Sequence, residues 1–413
     1  MMKKMLMACA GLCLCALMPA GAEPAKTVPL AERVTIATQL YNGIATYYAH
    51  WQGAPGFDLD RDYQTYLGQI LTSDDRRNFS LASLAFIAKL NNGHSNFYDQ
   101  YLDDAYGTSF GVYAMPLHDK WTVIISRVAA LKPGDVIGEI DGEDFEEFYR
   151  ANRQYVPGSS EAARKTHFFY ERFLFPQSFT FGMADGRKIA MKRIGPPPAG
   201  ADPDAATKVR EEGDVLYLRV PGFDDPAFEA DALKAVEAHL DARAVIVDVR
   251  GNGGGSTPGD LVSTLMDRPF EGWSEKTPVT LGVIEVHQEV GPRPFLRWDS
   301  AIEQPARTHY AGQVLILTDA RCFSACEDFV EPFKVNHRAT IIGTRTGGST
   351  GQPYSKDLGD GFSFRVSTKR EMFPDGSEFE GVGIAPDIAV EPTPDDLKAG
   401  RDPVLAKAHA LIK

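Results

Sequence analysis

The feature that most constrains this chain of 413 residues is a regular alternation, in its second half, of short apolar runs with helical stretches. Segments 215–220, 244–249, 313–317 and 340–342 are brief and rich in Val, Ile and Leu, so they read as strands, with 244–249 buried. Segments 228–240 and 325–333 carry helical patterns between them. Strand-helix-strand units of this kind predict an α/β core with helices packed on a largely parallel sheet.

Other parts of the chain read differently. From 29 to 92 the pattern is helical: Leu30, Val34, Ala37 and Leu40 share one face, and Leu81, Leu84, Ile87 and Leu90 recur at spacing three. Between 107 and 155 short strands at 110–113 and 121–125 precede a Pro133-Gly134 turn, an apolar strand and a second turn at Asp141-Gly142, which predicts a small β-rich module. The run from Gly195 to Pro203 holds four prolines and is read as a linker or long loop.

Lys3 and Lys4 precede an apolar run from Met5 to Met18 that ends in Ala20-Gly21-Ala22, the layout of a secretory signal cleaved after Ala22. The run is shorter than the roughly 20 residues of a spanning helix. Leu6-Met7-Ala8-Cys9 leaves a lipoprotein as the minor alternative. Net charge is −13, and −15 without the two leader lysines, which argues against nucleic acid as a partner. No later segment is apolar enough to span a membrane, so the expected location is periplasmic or secreted. Three of the five cysteines fall in the leader. Cys322 and Cys326 are no disulfide framework or zinc site; they read as core thiols, with an oxidised pair as the alternative.

Three segments hold residues suited to chemistry. In 317–327 a buried strand ends in a polar turn, and Ser324 falls where a helix begins, at the positive end of its dipole. On this segment alone a helix cap completed by Glu327 is the preferred reading and a nucleophile the alternative. Asp248-Val249-Arg250-Gly251-Asn252-Gly253-Gly254-Gly255 follows the buried strand and lets backbone N–H groups approach a bound group. It lacks the lysine of a P-loop and the spacing of a dinucleotide fingerprint. His94, in Asn92-Gly93-His94-Ser95, is one of nine histidines and sits in a polar turn. No metal-ligand spacing occurs, and no cofactor is expected.

Taken together, these segments resemble the tail-specific (carboxyl-terminal processing) proteases and the tricorn core protease. Asp248-Val249-Arg250-Gly251-Asn252-Gly253-Gly254-Gly255 is similar to the family's Asp-Leu-Arg-Gly-Asn-x-Gly-Gly signature, and Ser324-Ala325-Cys326-Glu327 to its Ser-Ala-x-Glu motif. Gly93-His94-Ser95, 343–351 and 380–387 extend the resemblance, which covers roughly 80 to 400. In the serine–lysine branch a lysine stands 25 residues beyond the nucleophile; here that position is Ser349. The resemblance therefore implies the histidine-using branch, with Ser324 as nucleophile, His94 as base, Glu380 orienting the imidazole, and the N–H groups of Gly254 and Ala325 as oxyanion hole.

The implied fold is α/β: a crotonase/ClpP-like catalytic core with an α-helical N-terminal region and a small PDZ-like β module. The last of these rests on the likeness of 131–137 to the Gly-Asp-x-Ile turn of PDZ domains. The expected division is a signal at 1–22, a helical region carrying His94 at 23–105, the β module at 106–160, a connecting region at 161–205, the peptidase core at 206–395 and a tail at 396–413. The implied activity is that of an exported serine endopeptidase acting on peptides or proteins. Its rivals are a silent peptide- or lipophile-binding protein on the same fold and, by fold analogy alone, an acyl-CoA enzyme.

Overall fold

A computed structural model describes residues 26–195, 206–279 and 295–412. The leader and most of the Pro-rich run lie outside the described residues. Five strands of the core sheet run parallel, in the order Ile388–Ala389, Ala339–Gly343, Gln313–Thr318, Ala244–Asp248 and Val215–Arg219. A sixth, Lys208–Glu212, joins the last of them as an antiparallel hairpin. All five residues of Ala244–Asp248 are buried, because both faces of the sheet are covered. Val245, Val247, Val314 and Ile316 pack under the helices Pro226–Ala238, Gly259–Leu265 and Ala325–Val335. Ile246, Leu315, Leu317 and Ile342 pack on the other side, against Val404 and Ala408 of the helix Pro403–His409. Phe329 is wholly buried on the helix that follows Ser324, so its replacement by Ala should cost about 3–5 kcal/mol.

The N-terminal region is helical, with Leu30–Tyr47, Leu59–Leu71 and Arg76–Ala88. It continues into the strand Asn96–Asp99, which pairs antiparallel with Phe362–Val366. Arg76 locks this junction: its buried guanidinium meets Asp99 at 2.6 Å and Asp360 at 2.5 Å. The turn carrying His94 is thereby fixed to a hairpin that arises more than 250 residues later.

The β-rich part holds the hairpin Val112–Leu117 and Lys120–Ser126, turned at His118 and Asp119, both with positive φ. Its second sheet has the order Glu143–Asp144, Ile137–Ile140, Ser178–Met183 and Lys188–Lys192. The last two strands lie within 161–205, read from the sequence as a connecting region. Phe179, Phe181 and Met183 alternate inward there and join an aromatic core with Phe145, Phe168 and Phe175.

Candidate active site

The strand Gln313–Thr318 leads through a tight turn into the helix Ala325–Val335, and Ser324 stands at the corner. Its backbone, at φ 59° and ψ −127°, lies in a region that costs a side-chain-bearing residue roughly 1–3 kcal/mol. Local contacts hold it there. Cys322 and Cys326 form a disulfide around it, with Cα atoms 5.3 Å apart, so the reading as free core thiols does not hold. The Ser324 N–H donates to the Ser349 carbonyl at 3.1 Å and to Glu327 Oε2 at 3.3 Å. Gly254 packs against the corner so closely that a Cβ would come within 2.7 Å of Ser324 Cβ. The Ser324 hydroxyl lies 2.9 Å from His94 Nε2, while Glu327 caps the Ser324 N–H.

His94 enters from the turn between Arg76–Ala88 and Asn96–Asp99, where Asn92 Oδ1 accepts its N–H at 3.1 Å. The ring lies flat on Phe323, with centroids 4.7 Å apart and planes at 7°. Burial, reinforced by the Arg365 charge, holds its pKa well below the ordinary 6.5, so the imidazole is neutral at pH 7. Nδ1 lies 2.9 Å from Ser349 Oγ. The tautomer that lets Nε2 accept the Ser324 proton is therefore the one in which Nδ1–H donates to Ser349.

Glu380 does not bond to the imidazole directly. Ser349 stands between them and donates to Glu380 Oε1 at 2.8 Å. Glu380 also accepts from Asn92 Nδ2 at 2.7 Å, from the Ser159 hydroxyl, and from the Thr350 N–H at 3.4 Å. Burial pushes its carboxyl up to about 7, against the pull of these donors. The sequence marked Ser349 only by the lysine it replaces, and that substitution was the one available sign of its place.

Glu327, read as part of a cap, is that and a wholly buried clamp as well. It accepts from Thr346 Oγ1 at 2.5 Å and from the N–H groups of Gly348 at 2.7 Å and Ser349 at 3.0 Å. Through its contact with the Ser324 N–H it ties the serine corner to the Ser349 loop. Burial raises its pKa to about 8.

Of the two expected oxyanion donors, Ala325 N–H is the first of its helix and makes no internal hydrogen bond among the described residues. Gly254 N–H is occupied: it donates to Asn252 Oδ1 at 2.9 Å, because the Asn side chain caps the amide two residues on. Among the described residues no group of three or more His, Cys, Asp or Glu side chains could hold a metal ion.

Residues 214–390 match the model of Peptidase family S41. The chain is 28% identical over 217 residues to a carboxy-terminal-processing protease of Bartonella bacilliformis, covering 49% of this chain and 45% of that protein. It is 28% identical over 200 residues to a Streptomyces coelicolor protein named as a homologue of tricorn protease, covering 47% and 15%. It thus spans less than half the length of either curated relative. The solved structure of mature CPAF complexed with lactacystin superposes with a TM-score of 0.69 over 89% of this chain and 95% of that one, at 15% identity, which establishes a shared fold. The segment matched by the family model contains the glycine turn, Ser324, Glu327, Ser349 and Glu380.

Proposed function

We propose that this protein is an exported serine endopeptidase that cleaves peptide bonds through an acyl-enzyme. The observation that carries the reading is the 2.9 Å contact between Ser324 Oγ, held in a strained corner, and the neutral His94 Nε2. In the reaction Ser324 Oγ attacks the carbonyl carbon while its proton passes to His94 Nε2. The tetrahedral oxyanion is held by Ala325 N–H, with Gly254 N–H available only as a donor shared with Asn252. One such donor is worth roughly 10²–10³ in rate. Collapse breaks the C–N bond, and His94 returns the proton to the leaving amine. Water, deprotonated by the same nitrogen, then hydrolyses the ester.

In this scheme Ser349 fixes the imidazole and relays its new charge to Glu380, which acts through Ser349. Export is supported by the leader-like residues 1–22 and by the Cys322–Cys326 disulfide, a bond that persists in oxidising compartments. No helix among the described residues is long and apolar enough to cross a membrane. Hydrolysis of casein and of mixed peptides by wild type and Ser324→Ala tests the reading. The variant should lose about 10⁴-fold or more in kcat with its circular dichroism unchanged. A folded wild type with no turnover would return the chain to the silent peptide-binding alternative.

A further inference from the structure

Arg365 lies on the strand Phe362–Val366, where Phe362, Phe364 and Val366 turn into the core and Arg365 turns outward. It pairs across the ladder with Asn96, two residues after His94. Its side chain is exposed, yet surrounding protein desolvates it enough to lower its pKa. Among the described residues it makes no hydrogen bond and no ion pair. Its charge is the largest acting on His94 and also acts on His167. His167 stands edge-on to Phe323 at 5.3 Å, and Phe323 lies flat on His94, so the strand that carries Arg365, paired with Asn96, runs beside the turn that sets this ring stack against Ser324. The carboxyl whose charge bears on Arg365 is that of Glu171. Burial pushes it up to about 8, so it is mostly protonated at pH 7 and leaves the guanidinium uncompensated.

An unpaired, partly desolvated cation beside a reacting group is costly unless a ligand supplies its counter-charge. A guanidinium offers a planar fork that matches a carboxylate with two parallel N–H···O bonds. We infer that Arg365 is a specificity-determining residue that takes a carboxylate of the bound peptide close to the scissile bond. This rests on the peptidase reading above. The carboxylate comes either from an Asp or Glu side chain or from the peptide's own terminus, and the two sources are separable.

The test is cleavage of a mixed peptide library, once with amidated and once with free C-termini, by wild type, Arg365→Gln and Arg365→Glu, with products identified by mass spectrometry. Wild type should favour Asp or Glu within two residues of the cut in the amidated library, or cuts near the terminus in the free-acid library only; either pattern supports the assignment and names the source. Arg365→Gln should lower kcat/KM about ten- to a hundred-fold for the preferred peptide, with little change for its neutral twin. Arg365→Glu should shift the preference toward Lys and Arg. An identical preference in wild type and Arg365→Gln overturns the inference. Fluorophosphonate labelling of Ser324 in all three proteins separates the two claims: labelling without any carboxylate preference sinks this inference alone, whereas neither labelling nor cleavage in wild type removes the peptidase reading and this inference with it.

Discussion

His94 Nδ1 meets the Ser349 hydroxyl at 2.9 Å, in the place where a Ser-His-Asp triad has a carboxylate. The carboxylate of Glu380 is one hydrogen bond further away, at 2.8 Å from the same hydroxyl. Ser349→Ala should leave Nδ1 without a partner and release the tautomer. Steady-state kinetics should show kcat down roughly ten- to a hundred-fold with KM little changed, since the link matters chiefly when the imidazolium forms. A variant with wild-type kcat would show that the relay is idle.

The pH profile should report Glu380 more than His94. Only neutral imidazole can accept the Ser324 proton, and a pKa well below 6.5 means that this form already dominates at pH 6.5. Glu380, by contrast, is pushed up to about 7, so its charge appears as pH rises through neutrality. That charge strengthens the acceptor for Ser349 and stabilises the imidazolium beyond it. We expect kcat/KM to rise through an ionisation near pH 7 in wild type, and Glu380→Gln to be slower and flat between pH 6.5 and 8. Persistence of the step in Glu380→Gln would assign it to another group.

The disulfide encloses the serine corner, so it should act on activity as well as stability. Replacing Cys322 and Cys326 together by Ser opens a five-residue loop, whose closure is worth roughly 2 kcal/mol by chain entropy. It also leaves the positive φ of Ser324 to Glu327 and the Ser349 carbonyl alone. Urea titration should show a loss of about that size, and kcat should fall even under conditions where the fold is intact. Unchanged kcat in the folded double variant would mean that the corner is held without the bridge.

Much of the core was legible because its signals are local. The strands 244–249 and 313–317 announce themselves by apolar runs, and the observed Ala244–Asp248 and Gln313–Thr318 agree to within a residue at each end. The strands Ser178–Met183 and Lys188–Lys192 were read past, although Phe179, Phe181 and Met183 alternate with period two, because the Pro-rich run beside them suggested a linker. The meeting of His94 with Ser324 spans 230 residues and depends on the pairing of Asn96 with Arg365, which no local pattern encodes. Family resemblance had to supply it. Hydrogen bonds that redirect single groups were equally out of reach: Asn252 taking the Gly254 N–H, and Glu327 clamping the Ser349 loop as well as capping the helix.

The central claim is that His94 makes Ser324 a nucleophile, and the most direct measurement is covalent labelling. A serine-directed fluorophosphonate, incubated with the purified protein at pH 7.5 and followed by peptide mass spectrometry, should modify Ser324 alone, with loss of fluoride. Labelling should be abolished in Ser324→Ala and fall by at least about 10³-fold in His94→Ala, because the hydroxyl loses the base 2.9 Å away. No adduct at Ser324 in folded wild type, or equal labelling of wild type and His94→Ala, would contradict the account.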